Sequence, residues 1–294
     1  MHPRWRLWLG ASAATALGAA VVVAALPGGD KTAPVSERVP DAAQAHRQRL
    51  AQVDRALDRD DAAGARLLLE AWLEEEPELA ELHNRLGLAL ERLGDMAGAE
   101  RAFQRAVARD GTSADAWINL GRVLRWQGRA DEAWRAFGAA IQHAPELADA
   151  YLGRGLAALD RGELAAAEGD FAYAAELAPG DDAPLLALGD LERTRGDLDG
   201  AVEAYRRGVR VDPTASAGWT KLGNALVRRG AHGEAIHAFR EALRYEPELA
   251  AAHNGLGVAL MHGGRRAEAA RRFERALELD PEDTKPAQNL ALMR

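Results

Sequence analysis

The histidines are the first residues to weigh for chemistry. His232 and His237 stand five apart, and His253 and His262 nine apart. A helical zinc site needs two imidazoles at i, i+4 so that both leave one face, and neither pair has that spacing. There is no cysteine, which excludes thiolate ligation, disulfides and lipoprotein acylation and fits either the cytoplasm or the periplasm. No Ser-His-Asp constellation can be argued. Asp110, Asp212 and Asp280 recur at one register, but each precedes the same helix-closing position, which is turn chemistry rather than a row of general bases. The glycines make no phosphate-cradling loop. The expectation is a chain without catalytic residues, metal or cofactor: not an enzyme.

The glycines mark a 34-residue frame instead. Gly87, Gly121, Gly155, Gly189, Gly223 and Gly257 form one column. Gly94, Gly128, Gly162, Gly196, Gly230 and Gly264 form a second. Ala99, Ala133, Ala167, Ala201, Ala235 and Ala269 make a third, and Phe103, Phe137, Phe171, Tyr205, Phe239 and Phe273 a fourth. Such a period is the signature of a stacked-repeat architecture. Numbered from Ala80, positions 4, 7, 8 and 11 make an i, i+3, i+4, i+7 stripe, the mark of a first helix. Positions 20, 24 and 27 make the stripe of a second. Glycine at position 15 stops the first helix, and proline at position 32 closes the second. Glycine at 8 and alanine at 20 are small where the helices approach, with the ring at 24 filling the gap beside them.

Trp117, Leu120, Gly121, Ala133, Phe137, Ala140 and Pro145 carry the pattern of an aromatic, Leu-Gly, Ala, an aromatic, Ala and Pro. In this the chain closely resembles the tetratricopeptide repeat (TPR) family. The resemblance implies an all-α fold, a right-handed α-solenoid of antiparallel helix pairs. Six full repeats are expected over 80–283, a degenerate first repeat over 46–79 with Val53 at position 8, and a capping helix over 284–294. Departures are Gly111 for Pro, Glu192 at position 11, Gly208 for Ala, and His83 and His253 at the position 4 aromatic site.

The resemblance also implies a concave face lined by positions 2, 5, 6, 9, 12 and 13. In the first two full repeats these include Asn84, Arg85, Asn119, Arg122, Arg125 and Trp126. In the next two they include Leu152, Leu156, Leu159 and Leu186 with Asp149, Asp160 and Asp190. In the last two they include Lys221, Asn224, Arg228, Asn254 and Met261. Asparagine amides can bond a peptide backbone with both donor and acceptor, Arg and Lys hold carboxylates, and leucines take an apolar anchor. The expected site is a peptide groove with an apolar centre and basic flanks. The plain alternative is solvated helix residues and leucines that pack adjacent repeats. A carboxylate clamp of the kind some family members use is incomplete: Asn119 and Asn224 match fragments of it, but Asp149 and Gly153 stand where basic residues belong.

Residues 7–26 carry no charge and follow the basic MHPRWR; at 1.5 Å per residue, about 20 residues span a bilayer core. The length favours an N-terminal transmembrane helix. The second reading is a signal peptide cut near Val23-Ala24-Ala25. Arg4 and Arg6 place the N-terminus in the cytoplasm and so the repeats in the periplasm of a bacterium, as a single-pass inner-membrane protein. Residues 27–45, rich in Pro, Gly and charge at their start, are expected to be a linker. Net charge is −8 with basic residues interspersed, so nucleic acid is not the expected partner. The functional expectation is a membrane-tethered scaffold or chaperone-like adaptor that binds a peptide or helix of an envelope protein. A self-assembling structural scaffold is the first alternative, and an assembly factor of the cytochrome c maturation type the second.

Overall fold

In a computed structural model of the chain, the described residues are 42–293. The expected anchor over 7–26 and most of the expected linker lie outside them. Among the described residues no helix is long and apolar enough to cross a membrane. The account below concerns the unit Gln48–Arg294, together with the start of its first helix.

Every regular element among the described residues is helical. The helices are α1 (Ala42–Asp58), α2 (Ala62–Glu75), α3 (Ala80–Arg92), α4 (Met96–Arg109), α5 (Ala114–Trp126), α6 (Ala130–His143), α7 (Ala148–Asp160) and α8 (Leu164–Leu177). They continue with α9 (Ala183–Arg195), α10 (Leu198–Val211), α11 (Ser216–Arg229), α12 (His232–Tyr245), α13 (Ala250–His262), α14 (Arg266–Leu279) and α15 (Thr284–Leu292). Helix α1 starts at Ala42, inside the stretch 27–45 expected to be linker.

The glycine columns do two different jobs. Gly94, Gly128, Gly162, Gly196, Gly230 and Gly264 all have φ between 77° and 86°, the left-handed conformation that ends a helix without a Cβ penalty. The same place in the first pair is taken by Asp60, at φ 62°, a strained choice for a residue with a side chain. The position 8 glycines make a close approach possible. A Cβ on Gly155 would lie 2.6 Å from the Phe171 ring, and one on Gly189 2.3 Å from the Tyr205 ring. Two of the rings meet a second glycine from the following pair: Phe137 is bounded by Gly121 and Gly153, and Phe239 by Gly223 and Gly255. The rings of Phe103, Phe171, Tyr205, Phe239 and Phe273 are fully buried, and they hold each helix pair closed.

Turns are capped locally. Asp61, Asp95 and Asp197 accept from the backbone N–H of Gly64, Gly98 and Gly200, satisfying a donor that the first turn leaves free. Asp110 and Asp212 accept from the backbone N–H and hydroxyl of Thr112 and Thr214 at 2.6–2.9 Å, and Asp280 accepts from Glu282 N–H. That is the turn role their register implies.

Position 4 carries a clasp between pairs. Trp117 Nε1 donates to Gly111 O and Trp219 Nε1 to Pro213 O, at 2.9 and 2.8 Å. His83 Nε2 and His253 Nε2 sit 2.8 and 2.9 Å from Pro77 O and Pro247 O. Imidazole replaces indole here because both put a ring nitrogen against the carbonyl six residues back. Burial of His253 pushes its pKa down, consistent with a neutral ring donating through Nε2.

Candidate functional site

The odd-numbered helices form one layer: α3 meets α5, α5 meets α7, and so on to α13 with α15. Consecutive even-numbered helices have no comparable contact. The closely set odd layer is therefore the inner side of the stack, and it carries the residues expected to line a groove.

The structure gives most of the basic members of that set a partner inside the chain. Arg85 lies 3.0 Å from Asp54 and 2.7 Å from Glu81. Arg122 makes a two-pronged pair with Glu91 at 3.1 and 2.6 Å. Arg125 meets Asp160 at 2.6 Å and Lys221 meets Asp190 at 2.5 Å. Asp190 also accepts from the Tyr205 hydroxyl at 2.8 Å, and burial followed by that carboxylate raises the pKa of the phenol. In each inter-repeat pair the acid lies 31 residues before or 35 after the base, which places it on the neighbouring odd helix. The flanks thus form an ion-pair ladder along the inner layer. Partly exposed pairs of this kind contribute little each, about 0–1 kcal/mol, but they leave little unbalanced positive charge.

Four asparagines make two pairs in the same manner. Asn119 Nδ2 donates to Asn84 Oδ1 at 3.0 Å, and Asn289 Nδ2 donates to Asn254 Oδ1 at 3.0 Å. The separation is 35 residues in both, so one amide bridge recurs at the two ends of the stack. Each amide keeps further bonding capacity, although Asn119 is itself buried. Asn224 and Arg228 are exposed and have no side-chain partner among the described residues.

The leucines divide. Leu152, Leu156 and Leu159 are half-buried and pack on the cluster of Ala158, Ala167, Phe171, Ala187 and Leu191. Leu186 turns between α10 and α11, where a Cβ on Gly208 would lie 2.7 Å from it and one on Gly218 3.5 Å. That contact explains Gly208, which breaks the alanine column to admit Leu186. Trp126 is 56% exposed at the end of α5.

A polar site that the sequence reading missed lies under α7 and α8. Arg154 stands where five other repeats have Leu86, Leu120, Leu188, Leu222 and Leu256. It makes a bidentate pair with Asp170 at 2.9 and 2.6 Å; Asp170 is buried. Tyr151 and Trp134 rings lie 5.6 and 5.9 Å from the guanidinium, and Tyr151 meets Tyr173 edge to face at 4.6 Å. The signal was available: the leucine column at position 7 breaks at Arg154 alone, and the alanine column at position 23, broken elsewhere by Arg272, breaks in that same repeat at Asp170.

Asp181 is also buried, between α8 and α9. It accepts from Ala183 N–H at 2.9 Å. Desolvation, with smaller contributions from Asp182 and Asp149, pushes its pKa up to about 6. His232 and His262 stack at 4.9 Å. Among the described residues, no three His, Cys, Asp or Glu side chains converge to hold a metal ion.

Comparison with known proteins agrees with this architecture. The tetratricopeptide repeat family matches residues 118–182, 186–239 and 220–284, and a second family of the same description matches residues 80–123. No curated protein matches the chain in sequence. Among solved structures, the chain resembles the APC/C Cut9-Hcn1 hetero-tetramer at 18% identity and TM-score 0.68, covering 82% of this chain and 48% of that one. It resembles a tetratricopeptide repeat protein from Parabacteroides merdae at 18% identity and TM-score 0.65, covering 85% and 99%. It also resembles yeast Tom70 at 19% identity and TM-score 0.63, covering 90% and 58%. The chain thus spans about half the length of the first of these. At such identities the likeness is one of fold.

Proposed function

The chain belongs to the tetratricopeptide repeat family, and from that premise we propose that it is a non-catalytic protein-binding scaffold whose inner layer holds a peptide or helix of another protein. One observation carries the reading: half-buried Leu152, Leu156 and Leu159 and the exposed Trp126 lie on neighbouring helices of the odd layer, so the closely set inner side presents apolar side chains. Apolar side chains left partly open on one face are the usual mark of an interaction site. The ion-pair ladder changes the expected chemistry of the client. Arg85, Arg122, Arg125 and Lys221 are neutralised within the chain, so binding rests on the leucines and Trp126. Asn224 and Arg228 supply the free polar contacts.

The uncharged segment 7–26 supports a tether in a bacterial inner membrane with the helices in the periplasm, and an envelope protein as client. An alkaline phosphatase fused after Arg294 should then be active, and an inactive fusion refutes the topology.

The groove is tested by photo-crosslinking in cells. A photoreactive residue at Trp126 or Asn224 should trap a client protein, and one at Arg207 on the outer layer should not. Leu152→Ser with Leu156→Ser should lower the inner-layer yield more than tenfold in a protein of unchanged helicity. Adducts from Arg207 alone would overturn the assignment.

A further inference from the structure

Consecutive even-numbered helices leave clefts, each floored by the odd helix between them. The cleft between α10 and α12 is walled by Arg206, Arg210, Glu234 and His237. Two steps of the frame earlier, the same places in the cleft between α6 and α8 hold Gly138, Gln142, Ala166 and Gly169. A Cβ on Gly138 or on Gly169 would meet nothing within 4 Å. Side chains that fill the one cleft are thus missing from the other, and glycine lets the backbone of a ligand come close.

Planar groups line the space this opens. Trp134 lies one turn before Gly138 on α6, and Tyr173 one turn after Gly169 on α8, so ring and glycine share a face on each wall. Tyr151 and Arg154 rise from α7 between them. Together they make a row: Arg161 lies over Trp134 at 5.2 Å, Arg154 is shared between Trp134 and Tyr151, and Tyr151 meets Tyr173. Trp134 and Tyr151 are half-buried, and Tyr173 is 43% exposed. In no other cleft of the stack do these three positions all carry rings.

The row is balanced in charge. Asp170 holds Arg154, and Asp131 and Glu163 hold Arg161 at 3.0 and 2.8 Å, so its complement is uncharged. What the rings keep is hydrogen-bonding capacity. The Trp134 indole N–H and the Tyr151 and Tyr173 hydroxyls have no partner among the described residues, and each can donate. The matching ligand offers carbonyl oxygens and flat apolar faces and brings no N–H of its own. A polyproline II segment has these properties. Proline lacks the backbone N–H, the helix makes no internal hydrogen bond, and aromatic-lined grooves receive its rings. Trp134 and Tyr151, on either side of Arg154, are separated by the order of one three-residue turn of that helix, ~9 Å. A sugar would call for acceptors as well as donors, and the carboxylates beside the row are already engaged.

We propose that the α6–α8 cleft is a second binding site, for an uncharged proline-rich segment of a partner protein in the polyproline II conformation. Its prolines lie against Trp134, Tyr151 and Tyr173, and its carbonyls accept from the three ring-edge donors. The site is on the even-helix side and does not depend on what the inner layer holds; each reading can fail without the other.

Calorimetric titration of decaproline into the purified full chain tests it. Decaproline should bind saturably, and a Gly-Ser repeat of the same length should not. Gly138→Arg with Gly169→His, which installs the residues of the α10–α12 cleft in open space, should weaken binding at least tenfold without loss of helicity. Trp134→Ala with Tyr173→Ala should do the same, and Tyr173→Ala alone, at an exposed ring, serves if the double variant unfolds. Tyr173→Phe, which removes one donor and keeps the ring, should weaken binding severalfold. Circular dichroism checks that each variant is folded. Decaproline that does not bind overturns the proposal, as does binding that survives the filled cleft or is matched by the Gly-Ser peptide. Maltohexaose bound where decaproline is not also overturns it, and assigns the rings to a carbohydrate. Loss with Leu152→Ser/Leu156→Ser and none with the filled cleft overturns it too, and places the peptide on the inner layer.

Discussion

The clefts floored by α7 and by α11 lie 68 residues apart, two steps of the frame, and the same backbone serves both. Trp219, Leu222, Leu226, His237 and Ala238 of the second correspond to Tyr151, Arg154, Ala158, Gly169 and Asp170 of the first. Around α7 an ion pair is held between aromatic rings. Around α11 the floor is apolar and encloses open space. The rings, the small residues and the turn glycines are common to both and set the backbone. Positions 4, 7, 11, 22 and 23 differ between the two while the shared backbone is kept. What distinguishes one cleft from another in such a stack is thus a handful of substitutions, some of them on the frame's own stripe, laid over small residues and rings that do not change.

The sharpest way to test this division is to remove one half of the ion pair. Arg154→Ala should cost about 3 kcal/mol, because Asp170 is left buried and unpaired. Returning both positions to the frame, with Arg154→Leu and Asp170→Ala together, should bring stability within about 1 kcal/mol of wild type or above it. Chemical denaturation of the three proteins decides, and a double variant as unstable as Arg154→Ala would show that α7 has come to depend on its charge.

The frame itself should respond alike in both regions. Gly155→Ala and Gly223→Ala each drive a Cβ toward a buried ring, at 2.6 and 2.7 Å, and should each cost about 1–3 kcal/mol. Denaturation midpoints that differ widely between the two would break the comparison, since only the shared contact is touched.

A smaller effect separates the α8–α9 junction from the rest. Asp181 is held at about 6, above the ordinary carboxylate value near 3.9. The folded state therefore binds the proton more tightly than the unfolded chain. Stability from this group is present below pH 4, falls as pH rises toward 6, and is absent above that. Asp181→Asn, which keeps an oxygen for Ala183 N–H, should raise stability at pH 7 by on the order of 1–2 kcal/mol, with the gain gone at pH 4. Thermal melts at the two pH values measure it, and an equal gain at both would rule out ionisation as the cause.

The smallest expected change lies in the first pair. Asp60 takes the left-handed turn that glycine takes in the six pairs after it. Asp60→Gly should stabilise by about 0.5–1 kcal/mol, and Gly128→Asp, the reverse exchange in a regular pair, should lose a similar amount.

The backbone was legible because its determinants recur. Each glycine, alanine and ring is repeated at 34-residue steps, so no single substitution could hide the register. Even Asp60 falls on the turn position by counting. The helix that carries each expected groove residue was legible, and its charge balance was not. Arg85, Arg122, Arg125 and Lys221 lie on odd-numbered helices, as the frame dictates, yet their neutralisation depends on acids 31 or 35 residues away, and composition within one repeat does not show them. Leu186 reads as a groove residue on its own helix and becomes a wedge only beside Gly208 and Gly218. The Arg154–Asp170 pair was hidden for the opposite reason: a search for what recurs passes over the repeat that differs.

The position 4 clasp bears on how the molecule opens. A ring nitrogen hooks the preceding turn at His83, Trp117, Trp219 and His253. The two middle repeats carry Tyr151, which pairs with Tyr173 instead, and Leu185, which has no donor. Latches therefore sit at both ends of the row and are missing from its centre. Under load, or in the slow breathing that lets backbone amides trade hydrogen for deuterium, the row is expected to part first around α7–α9. The two latched ends would come away as separate blocks, where a uniform stack would peel from its tips.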